Sequence, residues 1–269
     1  MASAAAYGGL VTAIVDQPPA PPVRRAWVTE TFLVLGVSLG ASGIYSVLSI
    51  IDRLTVHRAL SAQTSTLNNS VTPDRPWLDL AYQLVGIGLG VVPALLAVHL
   101  LSRDEPGARQ AIGFDVRKPL QDLGRGALLA AAVGVPGLGL YAAARALGLN
   151  TTVAAANLTD HWWAVPVLVL AAAQNAVLEE VVMVGYLYRR WLGAGWMLPR
   201  VMITSALIRG SYHLYQGFGG FLGNAVMGLV FGFVYTRTKR VGPLVVAHTL
   251  LDVVAFVGYT LLKGHLSWI

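Results

Sequence analysis

The chain contains no cysteine and little charge. The missing cysteine excludes disulfides, thiolate metal sites and a cysteine nucleophile, and leaves the compartment open. Charged residues are 12% of the 269, against about 25% in a typical soluble domain. With 55% hydrophobic residues and a mean hydropathy of +0.62, an ordinary soluble globular chain is excluded. There is no internal repeat, and no low-complexity segment beyond a proline-rich tail.

What is present is a series of apolar runs of about 20 residues, the length that crosses a bilayer as a helix. They predict an all-α, polytopic transmembrane helical bundle of about seven spans, or eight if the motif region divides. The spans fall near Glu30–Ile51, Leu78–Leu101, Gly126–Leu147, a long fourth helix holding Gln174–Arg190, Trp196–Tyr212, Gly220–Tyr235 and Pro243–Leu262. Residues 1–28 read as a cytoplasmic tail, extended around Pro18, Pro19, Pro21 and Pro22. Residues 29–125 hold two spans and a basic segment, Ser102–Arg125, suited to the cytoplasmic interface. Residues 126–269 form the membrane-embedded core. Asp52–Trp77 and Asn150–Asp160 read as polar loops. Trp162 and Trp163 read as an interface anchor.

The net charge is +6. In a soluble protein that would raise nucleic acid as a partner. Here the basic residues lie mostly between apolar runs, so membrane topology accounts for them and no nucleic acid is expected. With the N-terminus in the cytoplasm, the inner side holds Arg24, Arg25, Arg103, Arg109, Arg117, Lys118, Arg125, Arg189, Arg190, Arg200, Arg237, Lys239 and Arg240. The outer side holds Arg53, Arg58, Arg75, Arg145 and Lys263. The asymmetry favours that orientation.

Against this background Glu179 and Glu180 stand out, side by side in an apolar helix. An ionised group in hydrocarbon costs several kcal/mol, so intramembrane carboxylates mark sites. Arg209, His213, His248 and Asp252 also sit inside apolar segments. At 1.5 Å per residue, all six fall roughly 9–25 Å from the cytoplasmic ends of their helices. Arg209 and His213 are four residues apart and share a helix face, as do His248 and Asp252. A plain polar clamp between helices would account for one such pair, but less readily for six groups at one depth. Two histidines with carboxylates can bind a divalent metal. Alternatively, a glutamate can activate water while histidine orients it. Both routes point to hydrolysis. Ser205 and Ser211 lie near His213 in sequence, but neither has the surroundings of a nucleophile elbow.

The ordered set of residues resembles the CAAX-protease and bacteriocin-processing family of intramembrane proteases. That family carries EExxxR, FxxxH and HxxxN or HxxxD on three separate helices. The corresponding stretches here are Glu179-Glu180-Val-Val-Met-Val184, Arg209-Gly-Ser-Tyr-His213 and His248-Thr-Leu-Leu-Asp252. The resemblance runs from about residue 165 to 260. It implies a multi-pass intramembrane endopeptidase, in the plasma membrane of a prokaryote, acting on membrane-associated or lipophilic peptides. Glu179 would be the general base, with His213 assisting and Glu180 as a supporting carboxylate. His248 and Asp252 would line the oxyanion side. It leaves open one divalent metal such as zinc, held by Glu179, His213, His248 and Asp252, or a metal-free, glutamate-driven reaction.

Two positions depart from the pattern. Val184 stands at the motif arginine and Arg209 at the motif phenylalanine. These read as one change: the cation lost from the fourth helix is supplied from the fifth as a charge partner for Glu180. An ionised Asp252 would repel an oxyanion, which weakens that role for it more than it weakens the site. The lost motif arginine also keeps open a catalytically inactive scaffold or a bacteriocin-immunity type protein. A proton- or cation-coupled transporter ranks below both, because the polar groups crowd the C-terminal half.

Overall fold

The computed structural model describes residues 21–158 and 161–262. The chain folds as an all-α membrane bundle with one small sheet. In order, the helices are α1 (Pro21–Gly36), α2 (Leu39–Thr55), α3 (Pro76–Asp104), α4 (Ala108–Ala111) and α5 (Pro119–Ala146), then α6 (Ala164–Glu179). A π-helical segment, Glu180–Tyr186, runs straight into α7 (Leu187–Gly193). There follow α8 (Leu198–Tyr212), α9 (Phe218–Thr238) and α10 (Gly242–Leu262). Strands β1 (Thr64–Asn68) and β2 (Thr152–Ala156) pair in parallel, Thr64 beside Thr152 and Asn68 beside Ala156.

Among the described residues, four helical stretches are by themselves long and apolar enough to cross a membrane: α3, α5, Ala164–Gly193 and α9. The expected first span differs. It is two helices, Arg24–Gly36 and Leu39–Thr55, bent by 55°. The break falls where the Ser38 hydroxyl turns back and donates to the Val34 carbonyl at 2.6 Å. Such a bond competes with continuation of the helix. The expected fifth span, α8, has 15 residues, about 22 Å at 1.5 Å each.

Pro21 and Pro22 were expected in an extended tail but lie in the first turn of α1, where a missing N–H costs nothing. Pro18 and Pro19 lie outside the described residues, as do Asp160 and Lys263. The two polar loops turn out to contain the strands. Thr151 ties this layer to the site, its backbone N–H and its hydroxyl both donating to the Gln216 carbonyl.

Glycines let the helices around the site approach. On α5, a Cβ at Gly126 would lie 2.5 Å from Val246 of α10 and 2.9 Å from the Pro243 carbonyl. On α9, a Cβ at Gly228 would lie 3.1 Å from the Ala206 backbone of α8. In the middle of the bundle, residues Val181 to Tyr188 are almost wholly buried, Gly185 included. On the cytoplasmic side of the predicted orientation, Arg240 donates to both oxygens of Asp122 at 2.8 and 2.6 Å and also reaches Asp115. Glu30 of α1 accepts from Tyr186 and Arg190, both at 2.8 Å. These two clusters fasten α5 to the connection between α9 and α10, and α1 to the π-helical stretch and α7.

Candidate active site

Glu179 closes α6 and Glu180 opens the π-helical segment. Neighbours on a helix diverge by about 100°, and the two carboxylates do different things. Glu179 lines a cavity of about 970 Å³ that also contacts His213, His248 and Asp252. Glu180 is fully buried behind it.

Glu180 Oε1 accepts from Arg209 Nη2 at 2.5 Å and from His248 Nδ1 at 2.7 Å. Arg209 is 1% exposed, and its guanidinium lies 5.5 Å from the centre of the Phe231 ring. This α8 cation therefore reaches the second glutamate, while Val184, at the position of the motif arginine, is buried in the apolar core. A buried carboxylate without such a partner would be strongly destabilising.

Glu179 is held on its other side. Tyr212 donates to Glu179 Oε2 at 2.7 Å, and Arg209 lies 3.8 Å from the same oxygen. Glu179 Oε1 stays free for the cavity, 3.9 Å from His213 Nε2. Gln216 Nε2 sits 3.3 Å from His213 Nδ1. With the amide donating there, the ring proton resides on Nε2 and faces Glu179. That Nε2 is buried and has no hydrogen-bond partner among the described residues. His248 Nε2 lies 3.8 Å from Asp252 Oδ2. Of the six polar residues singled out in the sequence, Glu179, His213, His248 and Asp252 line the cavity, and Glu180 and Arg209 lie behind its wall. Tyr212 and Gln216 were not foreseen. Their only sequence signal is their place immediately before His213 and three residues after it.

The arrangement bears on a metal. Among the described residues, the ligand atoms that converge are those of Glu179, Glu180 and His248, and His213 and Asp252 fall outside that group. Two ligands of one tetrahedral zinc ion lie about 3.3 Å apart at bonds of about 2.0 Å. Glu180 Oε1 and His248 Nδ1 are 2.7 Å apart and share a hydrogen. The same oxygen carries the Arg209 guanidinium. Glu180 Oε1, committed to an arginine and an imidazole, is therefore closed to a divalent cation, whereas Glu180 Oε2 is buried with no hydrogen-bond partner among the described residues.

Residues 161–254 match the family model described as type II CAAX prenyl endopeptidase Rce1-like. This segment is similar to that family. It contains every one of the six polar residues, and the match points to a membrane protease of the CAAX endopeptidase kind. No curated protein and no solved structure matches the chain.

Proposed function

We propose that this protein is an intramembrane endopeptidase that hydrolyses membrane-associated or lipophilic peptides with water activated by Glu179, without a metal. The observation that carries the reading is Glu179 Oε1 facing His213 Nε2 across 3.9 Å on the wall of the cavity. A water within hydrogen-bonding distance of both atoms would lie at that gap. Glu179 takes its proton as the oxygen attacks the substrate carbonyl carbon, and then gives the proton to the departing amine. His248, fixed through Nδ1 by Glu180, presents Nε2 to the developing oxyanion beside Asp252. Glu180 and Arg209 do not line the cavity; their part is to hold His248 in place. The N-terminal side of the bundle faces the cytoplasm in this reading.

The test is cleavage of a library of quenched lipophilic peptides by the detergent-purified protein, each sample with and without chelator. Cleavage by the wild type should fall at least about 100-fold in Glu179→Ala and in His213→Ala, the range of a lost general base. Chelator should leave the wild-type rate unchanged. Cleavage surviving in Glu179→Ala would overturn the assignment of the base.

A further inference from the structure

The cavity that holds the catalytic groups is not walled by helices alone. Leu67 and Asn68 of β1, and Thr152, Val153 and Ala155 of β2, also line it. A two-stranded sheet leaves each strand one unpaired edge, whose N–H and C=O groups need partners. In β2 the Thr152 N–H donates towards β1, to the Gln63 carbonyl at 2.9 Å. In a parallel ladder successive residues turn their backbone groups to opposite sides. Val153 therefore turns its groups away from β1, whereas the Ala155 carbonyl accepts from the Asn68 side chain of β1 at 2.8 Å. The Val153 N–H is met not by a strand but by a side chain, the Tyr141 hydroxyl of α5, at 3.0 Å. Tyr141 lines the same cavity. A backbone donor satisfied by a displaceable hydroxyl is what an edge awaiting a peptide would present.

The strand is also tied to the turn that follows His213. Thr151, just before β2, is bound to the Gln216 carbonyl, and Gln216 contacts the His213 ring. Asn150 accepts from the Gly220 N–H at 2.9 Å. A ligand lying along β2 would thus be held in fixed relation to Glu179 and His213.

We propose that the outer edge of β2, at Val153, binds the substrate as an added strand, an extended peptide backbone displacing the Tyr141 hydroxyl. The proposal rests on the peptidase reading for its ligand class. Main-chain pairing would supply affinity with little regard to side chains, as strand addition does elsewhere. It would also straighten the peptide before hydrolysis, since a helical segment hides its carbonyls.

The test needs no turnover. A photo-reactive residue replaces Val153 in full-length Glu179→Gln protein, and in a second sample replaces Met227, on the cavity wall away from the sheet. Each is irradiated with a lipophilic peptide and with the same peptide N-methylated at alternate residues, which cannot pair with an edge. Capture at Val153 should be at least fivefold greater for the unmodified peptide, and capture at Met227 should differ less. Equal yields at Val153, or no capture there, overturn the proposal. In the unaltered protein, any observed cleavage should fall at least tenfold on N-methylation away from the scissile bond. Undiminished cleavage would overturn strand binding while leaving the peptidase reading intact. If no peptide is cleaved, the peptidase reading suffers and the capture ratio still decides the edge.

Discussion

The hydroxyl of Tyr212 donates to Glu179 Oε2 across 2.7 Å, so one oxygen of the cavity carboxylate is fixed and the other is left to work. A hydrogen bond to a charged group is worth about 1.5–3 kcal/mol. Tyr212→Phe keeps the ring and removes the donor. It should lower kcat by about tenfold or more, with KM within about twofold of wild type. The check is steady-state cleavage across substrate concentration. A raised KM with unchanged kcat would reduce Tyr212 to packing.

Arg209 is the partner of Glu180 in the buried layer behind the cavity. Arg209→Ala leaves that carboxylate without its cation, at a cost of about 3–5 kcal/mol. The variant should melt earlier in detergent and lose activity as fully as Glu180→Ala. Adding Val184→Arg, which returns a cation to the helix of Glu180, should recover part of both. Thermal melting and cleavage of the three variants decide this; no recovery in either readout would count against the exchange of positions.

Asp115 lies in the connection between α4 and α5, outside the spans. The hydrogen bond from the Arg117 side chain, reinforced by Arg240, holds its carboxyl well below the usual carboxylate range in spite of burial. A depressed folded-state value means stability that is present above the unfolded value of about 3.9. It is lost as pH falls through the folded value. Asp115→Asn should therefore lower Tm near neutrality and flatten the acid side of the Tm–pH curve. Parallel curves for wild type and variant would remove Asp115 from the acid response.

Gly126 of α5 faces Val246 and the Pro243 carbonyl of α10, and a Cβ there would collide with both. The carbonyl belongs to the backbone and cannot swing aside. Gly126→Ala should cost about 1–3 kcal/mol as overpacking. Gly137→Ala, on the same helix with open space around it, should cost much less. Comparing their melting temperatures tests the contact.

The sequence shows the site more clearly than its surroundings. Glu179, Glu180, Arg209, His213, His248 and Asp252 were legible because charge inside apolar runs is conspicuous; four of them line one cavity, with Glu180 and Arg209 behind its wall. Tyr212 was not, because a tyrosine in an apolar helix is ordinary until its hydroxyl is seen to meet a carboxylate. The strands were hidden for another reason. Thr64–Asn68 and Thr152–Ala156 pair across a long sequence separation, and neither segment carries the alternation that marks a strand locally. The break between α1 and α2 depends on Ser38 bonding back to Val34, a choice an apolar run does not announce.

The π-helical segment Glu180–Tyr186 separates two ends with different obligations. Upstream, Glu179 must point at the cavity; downstream, Tyr186 and Arg190 must point at Glu30. A π turn holds one residue more than an α turn, and that residue sets the angular offset between the two ends. The same residues wound as a regular α-helix would turn one end by about 100° against the other. Either the glutamate or the Glu30 anchor would then face the wrong way. At this point in the chain, the spacing of the residues matters as much as their identity.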